Sequence, residues 1–291
     1  MINLAFMKIV PFQIPKTGDE SIRVQADTVP YLYNHLHQHP EIQVTLISKS
    51  SGTLIAGDYV GRFEAGDVFV IGSNQPHVFR NDAVYFKKKL LAASVTVFFD
   101  EHTFGKRFWQ QAELSAFVPF FDQSQGGYKI KGEKQVQIAQ ILGAFVTASG
   151  IDRIRLFIEL ISLLSTKTDL TPLSQTITKR SIKSFDGDRL NRIIAYTFRE
   201  NHRSIRLEEI AAEANMTVEA FCKYFKTRTG KSYINFLNEI RISNACKLLL
   251  LGDKAVTAIC YESGFANLSN FNRVFKKITG KTPKAFRSAN N

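Results

Sequence analysis

The sequence contains two stretches that match each other, VEAFCKYFKTRTGKS at 218–232 and LSNFNRVFKKITGKT at 268–282. They align at an offset of 50 residues, and each carries two phenylalanines four residues apart. Residues four apart share one face of an α-helix, so each stretch predicts a helix with a buried aromatic face. The matched pairs are Phe221 and Phe271, Phe225 and Phe275, Lys226 and Lys276, Gly230 and Gly280, and Lys231 and Lys281.

Both predicted helices have start and stop signals at matching places. Thr217 and Asn267 stand directly before them and are good N-caps, because their side-chain oxygens can accept from free backbone N–H groups. Gly230 and Gly280 follow them, where a left-handed residue commonly ends a helix. These signals predict recognition helices at about 218–229 and 268–279.

A shorter helix and a tight turn precede each of these helices, in EEIAAEANMT at 208–217 and in TAICYESGFAN at 257–267. Gly264 stands where the turn needs positive φ, and Asn215, the next best residue for that conformation, fills the matching region. The pattern therefore predicts a pair of helix-turn-helix units. The plainer alternative is two core helices with solvated outer faces.

The outer faces of the two predicted helices are polar and basic. Polar side chains near the start of a recognition helix can reach base edges, and lysines suit phosphates. The residues predicted to read bases are Glu219, Cys222, Lys223, Ser269, Asn272 and Arg273. Those predicted to contact phosphates are Thr217, Lys226, Lys231, Asn267, Lys276, Lys277 and Lys281.

The connector SYINFLNEIRISNACKLLLL, residues 232–251, predicts one continuous helix about 30 Å long. One turn of B-DNA is about 34 Å. A rod of that length can place two recognition helices in successive major grooves on one face of the duplex. We therefore expect double-stranded DNA as the partner.

Charge supports this expectation. The chain of 291 residues carries a net charge of +12, and residues 187–291 hold 18 Lys/Arg against 9 Asp/Glu. A basic segment of this kind is typical of a polyanion-binding module.

The 3 cysteines are far apart and no apolar run spans a bilayer, so we expect a cytoplasmic protein with no membrane segment. A protein that binds DNA without sequence preference is less favoured, because contacts to the DNA backbone alone do not require two ordered recognition faces.

The run from Leu207 to Arg287 resembles the DNA-binding domain of AraC/XylS-type transcription regulators. Departures from the family are Ala255, where a capping Ser is common, Cys260 in place of Ala, and Cys222 in the first recognition helix, a weak hydrogen bonder. The family's second-unit signature is carried by Gly264, Phe265, Ser269, Phe271, Arg273, Phe275, Lys276, Lys277, Gly280, Pro283, Phe286 and Arg287.

The first part of the chain has a different character. Residues 8–99 contain short β-branched or aromatic runs separated by glycines, which predicts a sandwich or barrel, and helical patterns follow from Glu101. Segment 166–187 is polar and rich in Ser and Thr, as linkers are. We therefore expect two domains: an N-terminal all-β cupin-like barrel followed by helices (1–165), a linker (166–187), and a C-terminal all-α double helix-turn-helix domain (188–291). The cupin-like character is what the family resemblance implies.

The stretch NHLHQHPEIQ, residues 34–43, has histidines at alternate positions and resembles the H-x-H strand of cupins. That resemblance implies an effector pocket lined by His37, His39, Glu41 and His77. A metal cupin has a glutamate at the position of Gln43 or Val44. This chain has only Glu41, which would be a shifted ligand on the same face if the stretch is a strand. The sequence therefore favours a pocket without metal and no cofactor, and leaves a Fe, Mn or Zn site as the alternative.

The predicted helix IDRIRLFIELISLLST, residues 151–166, has a wide apolar stripe that needs a partner surface. Either it packs on its own barrel or it forms a subunit interface in a homodimer. The predicted dimer residues are Ile154, Phe157, Ile158 and Ile161.

The function predicted from all these features is a non-enzymatic, sequence-specific transcription regulator that responds to a small effector, with RNA polymerase as a further candidate partner. The alternative is a metal-dependent cupin enzyme fused to a DNA-binding tail. The sequence does not decide between activation and repression.

Overall fold

The computed structural model describes residues 21–88, 90–174, 184–250, 252 and 254–289. The described residues divide into two compact units, one within 9–182 and one within 183–291. The first is rich in β-structure and the second is helical, as the sequence predicts. No helix in the described part of the chain combines the length and apolar content that crossing a membrane requires.

The first unit has two antiparallel sheets. Its strands are β1 (Arg23–Val29), β2 (Ile42–Lys49), β3 (Gly52–Ala56), β4 (Tyr59–Phe63), β5 (Val68–Ile71), β6 (His77–Asn81), β7 (Ala92–Phe99), β8 (Tyr128–Ile130) and β9 (Leu170–Pro172). The larger sheet has the order β1-β7-β2-β5-β8-β9, and the smaller has the order β4-β3-β6. Within the described residues the strands thus form two sheets, not one closed barrel.

The sheets pack face to face over an apolar core. Leu54, Phe63 and Phe79 of the smaller sheet belong to one buried cluster with Phe69 and Ile71 of the larger sheet. The rings of Phe69 and Phe79 lie 5.7 Å apart in an edge-on arrangement. Apolar burial of this kind holds the two sheets together face to face.

Helices cover the other face of the larger sheet. Phe157 contacts Phe99 edge-on at 5.2 Å and is buried with Val44 and Val97 of β2 and β7. Trp109 is buried in the same cluster. The helices of this unit are α1 (Ala83–Lys87), α2 (Lys106–Trp109), α3 (Val118–Gln123), α4 (Gly132–Phe145) and α5 (Gly150–Leu164).

The segment predicted to be a linker, 166–187, is partly folded. Strand β9 pairs with β8, with Leu170 opposite Ile130, so the start of this segment completes the larger sheet. The helix α6 already begins at Ser184. The rest of the predicted linker, 175–183, lies outside the described residues. Pairing with a short strand far away in sequence leaves no local signal, which is why composition alone suggests a linker.

The second unit consists of helices α6 (Ser184–Glu200), α7 (Leu207–Glu213), α8 (Val218–Thr229), α9 (Tyr233–Leu250), α10 (Val256–Glu262), α11 (Leu268–Thr279) and α12 (Pro283–Ser288). Helices α7 and α8 form one helix-turn-helix unit, and α10 and α11 form the other. Helix α9 packs on both: Tyr233 contacts Phe221 at 5.4 Å, while Cys246 and Leu249 are buried with Phe271.

The turn and cap chemistry predicted from sequence is confirmed. Asn215 has φ +54° and Gly264 has φ +84°. The side chains of Thr217 and Asn267 accept from the backbone N–H groups of Ala220 and Asn270. These short-range signals start α8 and α11 at the predicted residues.

Candidate nucleic-acid interface and buried histidine cluster

Helices α8 and α11 present matching faces because their phenylalanines anchor them. Phe221, Phe225, Phe271 and Phe275 are fully buried. The six residues predicted to read bases are all exposed on the opposite faces of the two helices. Helix α11 carries three cations and no acidic residue, so its outer face is strongly electropositive.

In α11 the guanidinium of Arg273 is held by a neighbour. Its Nη2 donates to Oδ1 of Asn270 at 2.7 Å. Sequence reasoning does not single out Asn270 as a functional candidate, although its position three residues before Arg273 allows this contact on a helix. The bond fixes the direction in which Arg273 leaves the helix.

In the first unit the cations are arranged differently. Tyr224 of α8 lies beneath the guanidinium groups of Arg189 and Arg228, at 5.5 Å and 5.9 Å from its ring centroid. Lys231, predicted to contact phosphate, is half-buried and donates to both carboxylate oxygens of Glu239 at 2.8 Å and 2.6 Å. Its counterpart Lys281 is exposed. The two units are therefore alike in backbone but not in charge.

The three histidines predicted to share a site do come together. His37, His39 and His77 are buried, and one ring nitrogen from each lies within 4.8 Å of the others. A backbone bridge joins His37 to His77, which places the loop before β2 against the start of β6. His35 is half-buried and outside this group.

Each of these rings donates from Nδ1 to a backbone carbonyl. The acceptors are the oxygens of His35 at 2.9 Å, Glu41 at 3.0 Å and Gln75 at 2.8 Å, for His37, His39 and His77 in turn. Burial lowers the pKa of His37 to about 4, and it also lowers the pKa of His39 and of His77. The rings are therefore neutral at pH 7, and each keeps a lone pair on Nε2.

Gln43 occupies the space next to these lone pairs. Its Oε1 lies 3.0 Å from Nε2 of His39 and 3.1 Å from Nε2 of His77. Its amide nitrogen donates to Oγ1 of Thr45 at 2.7 Å, and Thr45 is hydrogen-bonded to Thr96 at 2.9 Å. A row of polar side chains thus runs from the histidines along one face of the paired strands β2 and β7.

Glu41 lies on the other side of His39. Its Oε2 is 3.5 Å from Nδ1 of that ring, whereas the Nε2 side faces Gln43. The prediction that Glu41 points to the same spot as the histidines is therefore wrong. That prediction requires strand alternation over 35–41, but β2 begins only at Ile42.

The predicted dimer residues divide between surface and core. Phe157 and Ile161 are buried in the core of their own unit, at 0% and 2% exposure. The prediction that these two residues form a subunit contact is therefore wrong. The apolar stripe on α5 is wide enough for one of its edges to pack against the sheet, and Phe157 and Ile161 lie on that edge. Ile154 and Ile158 are each 38% exposed, and Ile151 beside them is 77% exposed.

Residues 210–289 match the helix-turn-helix domain family. An "Uncharacterized HTH-type transcriptional regulator" of Staphylococcus aureus is 31% identical over 102 residues, which are 35% of this chain and 14% of that protein. YobQ of Bacillus subtilis, an HTH-type regulator, is 30% identical over 95 residues, 33% of this chain and 39% of that protein. The chain thus spans well under half the length of these relatives.

Two solved structures are similar to this chain, one over about a third of its length and the other over most of it. The DNA-binding domain of AdpA in complex with a target DNA is 27% identical, covers 35% of this chain and 91% of its own, and has a TM-score of 0.34. ToxT from Vibrio cholerae O395 is 17% identical, covers 94% of this chain and 100% of its own, and has a TM-score of 0.37. Both TM-scores are below 0.5. The assignment of residues 210–289 to the helix-turn-helix domain family therefore rests on the match of their sequence.

Proposed function

We propose that this chain, whose residues 210–289 form an AraC-type helix-turn-helix domain, is a sequence-specific DNA-binding transcription regulator. The observation that carries the proposal is the pair of capped helices, α8 and α11, each anchored by two buried phenylalanines and each exposing a polar, basic face. Double-stranded DNA is the partner that such a pair fits, since a major groove admits one α-helix.

Base reading is assigned to the exposed side chains near the starts of these helices. Arg273 suits guanine, whose O6 and N7 accept from a guanidinium, and Asn272 suits adenine. The flanking lysines and the two helix starts would contact phosphates. Lys231 is the weakest of these candidates because its ammonium is bound to Glu239.

Substituting Arg273 or Lys223 by Ala should weaken specific binding by about 1–3 kcal/mol each, because each removes one base-contacting cation. The operator is first obtained by selection from random duplexes with the full chain, and affinity is then measured by gel shift over a salt series. Lys167→Ala, an exposed lysine of the first unit, is the matched loss of charge and should leave affinity unchanged. Equal affinities for all the variants on every selected site would contradict the assignment of the recognition helices.

The β-rich unit is assigned a sensing role without enzymatic activity. Support for the sensing role comes from its buried polar row, which ends in His37, His39 and His77. Support for a non-enzymatic role comes from the relatives, which are named as transcriptional regulators. Glu41 lies at the edge of this cluster. RNA polymerase remains a proposed further partner, and the chain is assigned to the cytoplasm.

The exposed face of α5 is proposed as the contact with a second copy of the chain. Ile151, Ile154 and Ile158 together form an apolar surface at i, i+3 and i+7 on one helix. Ile154→Lys with Ile158→Lys should convert a dimer to a monomer in sedimentation velocity, because both place a charge in the contact. Glu159→Lys, on the neighbouring exposed position, is the control. A wild-type monomer at all concentrations would exclude this contact.

A further inference from the structure

We propose that Glu239 keeps Lys231 away from DNA phosphates, so that only the second helix-turn-helix unit uses the lysine at this position of the repeat. Glu239 thereby lowers the affinity of the first unit for the DNA backbone. This inference rests on the proposed function and deepens it, because it concerns how strongly each of the two units holds the duplex.

The 50-residue repeat continues into the helices that follow α8 and α11. Phe236 of α9 and Phe286 of α12 are 50 residues apart. The ring of Phe236 contacts Phe225 at 5.3 Å, and the ring of Phe286 contacts Phe275 at 5.6 Å. The start of α9 therefore has the same place in the first unit as α12 has in the second. The residues between these aromatic anchors can be compared position by position.

The backbone around Lys231 and Lys281 is the same in the two units. Each lysine follows a glycine with positive φ, Gly230 at +75° and Gly280 at +74°. The hydroxyl of the threonine two residues before each lysine donates to the carbonyl oxygen of that lysine, at 3.1 Å for Lys231 and 3.0 Å for Lys281. The two side chains therefore start from equivalent positions at the ends of the two recognition helices.

The two lysines differ in the acidic residue that faces them. Nζ of Lys231 donates to both carboxylate oxygens of Glu239, and both side chains are half-buried. The residue 50 positions after Glu239 is Ala289, which carries no charge, and Lys281 is exposed. An ion pair that is partly withdrawn from water is screened less by salt than a pair on the surface. Glu239 therefore holds Lys231 at salt concentrations where exposed lysines bind phosphates.

A phosphate and the carboxylate of Glu239 compete for the same ammonium group. Both are oxygen anions that accept charge-assisted hydrogen bonds from a lysine. The carboxylate is already in contact with Nζ of Lys231. A phosphate that approached this ammonium would also approach the carboxylate, and the two negative charges would repel each other. Glu239 therefore acts in two ways: it binds the cation, and it repels the phosphate.

Glu239→Gln removes the negative charge and keeps the size of the side chain and an oxygen acceptor. One phosphate contact contributes about 0.9 to the slope of log affinity against log salt, or about 3-fold in affinity between about 50 and 200 mM salt. We expect the variant to bind DNA at least about 3-fold more tightly at about 50 mM salt, with a slope steeper by about 0.9. The gain should be equal on the selected operator and on a random duplex, because phosphates carry no sequence information.

The measurement is a gel shift with the full chain over a salt series, on both duplexes. Lys231→Ala alone should leave the slope as in the wild type, whereas Lys281→Ala should lower it by about 0.9. Lys231→Ala combined with Glu239→Gln should lose the gain in slope.

Glu262→Gln is the matched control. Glu262 accepts from Nζ of Lys254 at 2.8 Å with both carboxylate oxygens, so this pair has the same chemistry and the same spacing in sequence as the pair of Lys231 and Glu239. Lys254 is not one of the predicted phosphate contacts. Glu262→Gln should therefore bind DNA with the slope of the wild type.

Three results would overturn the inference. One is a gain in Glu239→Gln that persists without Lys231 or is equalled by Glu262→Gln, because the effect would then be one of net charge. Another is a slope that falls as much in Lys231→Ala as in Lys281→Ala, because Lys231 would then already contact a phosphate. The third is unchanged binding by Glu239→Gln that is folded by far-UV circular dichroism.

The inference and the proposed function can fail separately. A selection that enriches no operator would contradict sequence-specific reading, while the slopes on random duplexes would still decide the role of Glu239. A wild-type chain that binds no duplex at all would overturn both. The comparison of Lys231→Ala with Lys281→Ala keeps the test decisive if Glu239→Gln fails to fold.

Discussion

Gly264→Ala is expected to destabilise the C-terminal unit by at least about 3 kcal/mol, the upper end of what single substitutions usually cost. Gly264 has φ +84°, a backbone conformation that residues other than glycine rarely adopt. A Cβ there would lie 2.1 Å from the backbone oxygen of Asn201 and 2.9 Å from Nε of Arg241. Those two atoms are themselves hydrogen-bonded at 2.9 Å, so the clash would break the contact between α9 and the chain after α6.

The measurement uses the fact that the chain has a single tryptophan, Trp109, which is buried in the first unit. Urea unfolding followed by tryptophan fluorescence reports the β-rich unit. Far-UV circular dichroism, dominated by helix, reports mainly the second. We expect Gly264→Ala to move the dichroism transition to lower urea and to leave the fluorescence transition in place.

Gly280→Ala is the matched control, since Gly280 has φ +74° but no atom lies within 4 Å of the place that an added methyl carbon would take. This change should cost only about 1 kcal/mol, the strain of the left-handed conformation. If the two variants lose the same stability, the backbone conformation alone explains Gly264, and the close approach to Asn201 is irrelevant.

The helix-turn-helix units can be predicted from sequence because their determinants are local. A cap, a positive-φ turn residue and two phenylalanines at helical spacing all act within a few residues, as Thr217, Asn215 and Phe221 illustrate. The register of the 50-residue repeat then gives each signal a second, independent occurrence. The contact between Asn270 and Arg273 cannot be predicted from sequence. Asn and Arg side chains can meet in several geometries, and the fold selects one of them.

The β-rich unit is less predictable because its determinants are long-range. The pairing of Leu170 with Ile130 joins residues far apart in the chain and has no motif. Phe157 and Ile154 belong to one apolar stripe, and only the packed sheet decides which is core and which is surface. The histidines converge as the resemblance implies, but Glu41 does not join them, since an alternation argument holds only inside a strand.

Inserting 5 base pairs between the two half-sites of the selected operator is expected to weaken binding at least about 100-fold, or about 2.7 kcal/mol. Helix α9 has 18 residues and is about 27 Å long. It packs on both recognition units through Phe236 against Phe225 and through Leu249 in the cluster of Phe275. Half a helical turn of extra DNA moves one half-site to the opposite face, where a fixed pair of helices cannot reach it.

Gel shifts with inserts of about 5 and about 10 base pairs distinguish a rigid connector from a flexible one. The longer insert restores the face of the duplex but adds about 34 Å of distance. A rigid α9 should therefore fail on both inserts, and the residual affinity should equal that for a single half-site. Recovery on the longer insert alone would mean that the units separate in the complex. Full affinity on both inserts would mean that only one of the two helices reads DNA, because the second half-site would then contribute nothing to binding.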